Sequence, residues 1–284
     1  MKIARFRVGD GPVRLGRVDG DTLTDLSDVT GVGTSLRAIL PELDSLRSTI
    51  ETASGAVHAL SDVVLEAPVD DPQKYLGIGM NYAAHAEEAR QAGVPVPENQ
   101  MWFNKQVSCI VGPHADVERP AVSEQLDYEV ELAVVIGRRC RHVSRADAPD
   151  VIGGYLVAND VSVRDWLAKR SPTFTLGKSF DTHGPLGPWL TTADEVPDPH
   201  DLELSLTVNG EERQRARTDD LIHDIYEQIE YLTTVMTLMP GDVLATGTPA
   251  GIGAPTGSWL KPGDVVRATV EGLGSLENTV VEAR

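Results

Sequence analysis

Short strand-like runs cut by turn residues constrain this chain more than any other feature. Lys2–Val8 and Val13–Val18 alternate apolar and polar residues around Asp10-Gly11-Pro12, and the second run ends at Asp19-Gly20, which predicts a β-hairpin. Tyr75–Gly79, Tyr128–Ile136, Val151–Asp160, Leu202–Val208, Asp242–Thr246 and Val265–Val270 read as further strands. With 26 glycines and 18 prolines between such runs, the pattern is that of a sheet-rich fold. Helical spacing is confined to Ser35–Thr52, interrupted at Pro41, to Ala83–Ala92, and to Leu221–Leu238, where Ile222, Ile225, Ile229, Leu232 and Met236 share a face. The turn-rich stretch Ala67–Pro72 predicts a boundary between a small N-terminal domain, residues 1–66, and a larger body, residues 72–284.

A chain of 284 residues, 41% of them hydrophobic, builds a sizeable core. Its apolar runs, such as Val151–Ala158, fall well short of the ~18–20 residues of a membrane span. No apolar run follows the charges of Met1–Arg7, so neither a membrane segment nor a signal peptide is expected. Cys109 and Cys140 form no CxxC pair, which excludes a zinc finger or disulfide scaffold and makes a reducing cytoplasm the default. Asp plus Glu total 43 against 25 Lys plus Arg, a net charge of −18, and aromatics are 5%. Neither figure suits nucleic acid, although acidity by itself speaks mainly to solubility.

Familiar motifs fail. Gly177-Lys178-Ser179 ends like a phosphate-binding loop, but Pro172 stands where its first glycine is needed. Gly77-Ile-Gly79 has Tyr82 in place of the third glycine of GxGxxG, and neither GxSxG nor HExxH occurs.

The chemistry concentrates in Asp127-Tyr-Glu129-Val-Glu131-Leu-Ala-Val-Val-Ile136. In a strand, Glu129 and Glu131 point the same way, about 6.6 Å apart at ~3.3 Å per residue. Two neighbouring buried carboxylates need compensation, and hard oxygen ligands favour Mg²⁺ or Mn²⁺. The same spacing also suits an edge strand with solvated carboxylates. Asp160 ends another apolar strand; it is a third ligand or a turn residue paired with Arg164. His85 and Glu88 share a helical face, as a general base with its orienting carboxylate or as a surface ion pair, and Asn81 is placed to cap that helix. Lys178, one of six lysines, sits among apolar and glycine residues, suited to an oxyanion or to snorkelling. Thr246–Gly253 is a Gly-rich loop whose N–H groups and Thr248 hydroxyl suit a carboxylate, or simply a turn.

Taken together, Gly77–His85, Asp127–Glu131, Gly154–Asp160, Arg164-Asp165-Trp166, Gly177–Thr182, Gly184–Gly187 and Thr246–Gly251 resemble, in order, the fumarylacetoacetate hydrolase family across residues 72–284. The resemblance implies a mainly β (α+β) fold, a mixed β-sandwich roll with a small N-terminal domain, usually dimeric. It implies Glu129, Glu131 and Asp160 as ligands of Mg²⁺ or Mn²⁺, and His85 with Glu88 as a water-activating pair beside a catalytic Lys178. Arg164, Thr248 and Lys105 take substrate-binding places. The implied activity is hydrolysis of a C–C bond in a β-diketo or acylpyruvate-type 2-oxo acid through a metal-held enolate. Oxaloacetate decarboxylation and 2-hydroxyhepta-2,4-diene-1,7-dioate isomerisation on the same site are the enzymatic alternatives, and an inactive metal-binding scaffold is the non-enzymatic one. A cytoplasmic homodimer acting on a small 2-oxo acid in aromatic or sugar-acid catabolism is expected, with no nucleic acid or membrane partner. Leu167 departs from the glutamine many members carry there, and Asn104 from a more usual apolar residue. Residues 83–100 are polar and read as a lid that is mobile until a 2-oxo acid binds.

Overall fold

The computed structural model describes residues 1–91, 93–170 and 172–283, with the side chain of Ala168 left aside. The expected mainly β architecture is present. The main path of the 12-stranded sheet runs Val57–Ala59, Thr22–Asp25, Arg14–Asp19, Lys2–Arg7, Gly184–Thr192, Ile152–Asn159, Val130–Ile136, Val243–Ala245, Tyr75–Gly79, Met101–Lys105. A five-stranded sheet holds Glu211–Arg217, Glu203–Val208, Val265–Val270, Gly274–Glu282 and Val117–Arg119.

The strand Val130–Ile136 is buried along its whole length because successive side chains enter different cores. Val130, Leu132, Val134 and Ile136 pack with Leu204, Leu206, Val266 and Leu276 of the smaller sheet. Ala133 and Val135 pack with Leu156, Ala158 and Leu186, in a cluster that also takes Leu36, Ile39 and Leu43 of the N-terminal helices. Those helices are Leu36–Ile39 and Leu43–Glu51, separated at Pro41 as the sequence predicts. The N-terminal hairpin joins the body directly, since Lys2 pairs with Thr191 and Ile3 with Leu190, so the sheet is continuous across the 67–72 stretch.

Two expected elements differ. The acidic strand does not begin at Tyr128: Tyr128 and Glu129 lie in a break between the short strand Leu126–Asp127, paired with Ser162–Val163, and Val130–Ile136. The helix expected over Leu221–Leu238 is Ile225–Val235, because Asp224 and Glu227 form a capping box that fixes its start. The helix expected over Ala83–Ala92 is Ala83–Gln91, and Ala92 lies outside the described residues. Among the described residues, no helix is long and apolar enough to cross a membrane.

Candidate active site

Sheet register brings the acids together. Val130 pairs with Asn159 and Glu131 with Ala158, so two strand ends meet. The Asp160 N–H donates to the Glu129 carbonyl at 2.8 Å, and the Glu129 N–H donates to Asn159 Oδ1 at 3.0 Å. Ligand oxygens of Glu129, Glu131 and Asp160 all lie within 4.8 Å of one another, and all three residues are buried.

Cations gather round two of them. Lys178 Nζ donates to Glu129 Oε2 at 2.7 Å and to Asp160 Oδ2 at 2.6 Å. Lys105 Nζ donates to Asp160 Oδ1 at 2.6 Å. Arg164 donates through Nη2 to Glu129 Oε1 at 2.6 Å and through Nε to Asp127 Oδ2 at 2.8 Å. Burial opposes the charge on Glu129, yet Lys178 and Arg164 outweigh it and pull the carboxyl down to about 2. Burial likewise opposes the Lys178 ammonium, and Asp160 and Glu129 outweigh it, so its pKa is raised. Glu131 is left over. Its Oε2 accepts from the Gly247 N–H at 2.7 Å, and among the described residues no cation forms a salt bridge with it. Burial, then Asp160 and Glu129, push its carboxyl well above the ordinary range. Four carboxylates, counting Asp127, thus face three cations, and the uncompensated charge falls at Glu131. This donor set, all hard carboxylate oxygens with one charge in excess, fits a divalent cation of the Mg²⁺ or Mn²⁺ kind.

Lys178 ends the single turn Leu176–Lys178. Gly177 permits that turn: a Cβ there would sit 2.5 Å from Leu167 Cδ2 and 2.9 Å from the Leu167 nitrogen. Leu167 therefore packs beneath the lysine turn. The ammonium lies 5.0 Å from the Phe103 ring centroid. Asn104 accepts from the Thr175 hydroxyl at 3.2 Å.

His85 is buried in the helix Ala83–Gln91, with Nδ1 3.1 Å from Glu88 Oε2. Glu88 Oε1 accepts from the Gly251 N–H at 3.4 Å, on the same loop whose Gly247 N–H reaches Glu131, so the pair borders the acids. Asn81 is not the cap of this helix. Its two amide hydrogens go to the carbonyls of His223 and Thr246, and the Ala84 N–H is taken by Asp220 Oδ2 at 3.2 Å.

The Gly-rich loop is engaged with the protein's own acids. The N–H of Gly247 goes to Glu131, that of Gly251 to Glu88 Oε1 at 3.4 Å, and those of Gly253 and Ala254 to Asp127 at 2.7 and 3.1 Å. The Thr248 hydroxyl donates to the Val130 carbonyl and accepts from Gln214, both at 2.9 Å. Gly247 has φ +106°, and a Cβ there would meet Asn81 Cβ at 2.8 Å. Sequence reading gave no role to Asp127 or Gln214. Asp127 carried a visible signal, being one residue from Tyr128-Glu129, whereas Gln214 lies in the polar run Glu211–Arg217 and carried none.

Comparison with known proteins decides the family. Residues 74–281 match the profile of the fumarylacetoacetate (FAA) hydrolase C-terminal domain. The chain belongs to the fumarylacetoacetate hydrolase family. A relative from Burkholderia ambifaria is 42% identical over 284 residues, covering 99% of this chain and 94% of its own. Maleylpyruvate hydrolase from Sphingobium sp. SYK-6 superposes over the whole of both chains with TM-score 0.86 and 37% identity, and one of its structures holds manganese(II) and pyruvate. The 2-hydroxyhepta-2,4-diene-1,7-dioate isomerase from Mycobacterium marinum superposes with TM-score 0.78 and 35% identity, over 99% of this chain and 98% of that one. The chain is thus an enzyme of this family, with an acidic triad capable of binding metal.

Proposed function

We propose that the protein is a divalent-metal-dependent hydrolase that cleaves a C–C bond in an acylpyruvate-type 2-oxo acid. The observation that carries this reading is the buried acidic triad of Glu129, Glu131 and Asp160 in one site with the 3.1 Å His85–Glu88 pair. The relative that binds manganese(II) and pyruvate supports the substrate class. Bound between the three acids, Mg²⁺ or Mn²⁺ supplies Lewis acidity toward the 2-oxo carboxylate and the charge that develops beside it.

The residues then divide the work. Glu88 on Nδ1 keeps the His85 proton there and leaves Nε2 free to take a proton from water. The hydroxide adds to the carbonyl distal to the 2-oxo acid. The Lys178 ammonium, kept charged by Glu129 and Asp160, stabilises the oxyanion of that addition. When the C–C bond breaks, its electron pair passes to the 2-oxo-acid fragment, and the enolate formed takes up a proton. Arg164 and Lys105 border the substrate through the carboxylates they hold, and Thr248 through the loop it fixes to Val130. The protein works as a cytoplasmic homodimer.

The test is a panel of an acylpyruvate, oxaloacetate and a hydroxymuconate-type acid, each with Mg²⁺, with Mn²⁺ and with EDTA. Metal-dependent acylpyruvate cleavage that His85→Ala abolishes supports the reading. Turnover of oxaloacetate or of the diene acid alone replaces it with decarboxylation or isomerisation, and no metal-dependent turnover of any of the three leaves a binding scaffold.

A further inference from the structure

The dyad helix is fixed at its N-terminal end by a segment about 140 positions away in sequence. Asn81 is fully buried and has every hydrogen-bonding position of its side-chain N–H₂ matched. Nδ2 donates to the His223 carbonyl at 3.0 Å and to the Thr246 carbonyl at 2.8 Å, and Oδ1 accepts from the His223 N–H at 2.9 Å. The Asn81 backbone carbonyl accepts from the Ile222 N–H at 2.8 Å. Tyr82 and Leu221 form an antiparallel bridge, and Asp220 takes the Ala84 N–H. Residues 81–84 are thus stitched to 220–223 immediately before His85.

The metal half has further anchors of its own besides the Asn81 bond to the Thr246 carbonyl. Thr246 donates through both its N–H and its hydroxyl to the Leu132 carbonyl, at 3.0 and 2.9 Å, so the root of the Gly-rich loop hangs on the acidic strand. Loss of the Asn81 carboxamide releases the helix entry, whereas the loop root loses one bond and keeps both of those to Leu132. A bulk structural role would damage both halves together; this geometry damages one.

We infer that Asn81 and Asp220 are positioning residues for the His85–Glu88 pair, Asn81 by pinning the helix entry and Asp220 by capping its first turn. The inference rests on the hydrolytic reading above. A displacement of about 1 Å at a catalytic group costs on the order of 100-fold in rate, and loss of a cap corresponds to roughly fivefold.

Four variants of the Mn²⁺-loaded enzyme test it: Asn81→Asp, Asp220→Ala, Asp220→Asn and His85→Ala. The readouts are kcat and KM for an acylpyruvate, the rate of CO₂ loss from oxaloacetate, and Mn²⁺ affinity by electron paramagnetic resonance. Asn81→Asp, which keeps the shape but loses both donors, should lower the hydrolytic kcat about 100-fold. Its KM, Mn²⁺ affinity and oxaloacetate rate should stay within about threefold of wild type. Asp220→Ala should lower kcat about fivefold, and Asp220→Asn, whose amide oxygen still accepts from Ala84, should restore it. The inference is overturned if Asn81→Asp keeps full kcat, or if hydrolysis and metal affinity fall in parallel. Should Asn81→Asp not fold, the Asp220 pair decides: equal rates for the Ala and Asn variants overturn it. If His85→Ala itself hydrolyses at the wild-type rate, the hydrolytic reading falls and this inference with it.

Discussion

Glu131→Gln should reverse the order of stability between metal-free and metal-loaded protein. Three carboxylates have oxygens within 4.8 Å, and two unit charges at that distance repel by about 3 kcal/mol at an effective dielectric of 20. Lys178 offsets part of this for Glu131. Protonation sets a ceiling, since neutralising a group whose ordinary pKa is 4.5 costs about 3 kcal/mol at pH 7. Glutamine keeps an oxygen for the Gly247 N–H while removing the charge. In EDTA the variant should therefore be more stable by about 1–2 kcal/mol, which raises Tm by roughly 2–4 °C. With Mn²⁺ at about 100 times the wild-type Kd, wild type gains about 2.7 kcal/mol. A variant that binds about 100-fold more weakly gains about 0.4 kcal/mol from the same metal. Differential scanning calorimetry in EDTA and in Mn²⁺ should show the two melting curves exchange order. A variant that melts below wild type in EDTA, or gains as much from Mn²⁺, refutes the placing of the excess charge at Glu131.

Three further outcomes are expected. His183 is fully buried, with Nε2 on the Glu118 carbonyl at 2.8 Å, and burial holds its ring down to about 3. Its neutral form contributes full stability above 6.5 and loses it as pH falls toward 3, ~3 kcal/mol by pH 4, so His183→Gln should flatten urea stability between pH 6.5 and 4; an unchanged slope refutes this. Hydrogen exchange in residues 83–91 should slow when Mn²⁺ and oxalate are added, and equal protection with and without them removes the lid. Light scattering should report twice 30.6 kDa at micromolar concentration, and a monomer contradicts the homodimer.

The sheet was legible because its signal is local: alternation in Lys2–Arg7 and Arg14–Asp19, and continuous apolar runs in Val130–Ile136 and Ile152–Asn159. Register was not legible, and register is what sets Glu131 beside Ala158 and brings Asp160 to Glu129. The acids themselves stood out because charge inside an apolar run has a physical cost that demands a reason. Arg164 was visible as a cation near acids, but not its division between Asp127 and Glu129 across a gap of 35 or more residues. Asn81 was assigned a local job, capping, because short-range rules see only the residues ahead of it. Its carboxamide instead meets backbone carbonyls that lie 142 and 165 positions away. The Leu221–Leu238 helix was overextended for a related reason: Ile222 keeps the apolar spacing, while Asp224 stops the helix from reaching it.

The charge balance also orders the binding events. Asp127, Glu129, Glu131 and Asp160 face Lys105, Lys178 and Arg164, four negative against three positive, leaving His85 aside. The loop N–H groups that would otherwise welcome an anion are already spent on Glu131, Glu88 and Asp127. Without a cation, Lys105, Lys178 and Arg164 are already paired with Asp127, Glu129 and Asp160, so an incoming 2-oxo acid meets no unpaired cation and few spare donors. A divalent ion favours ionised Glu131, and four carboxylates against three cations and the ion leave one positive charge, which a monoanionic carboxylate then neutralises. Oxalate, a small dianion with the same chelating oxygens, should therefore bind only after metal. Isothermal titration should show no oxalate binding in EDTA and a clear isotherm in Mn²⁺. Equal oxalate affinity for wild type with and without Mn²⁺ would show that the anion is held by the protein's own cations, and that this count does not govern the site.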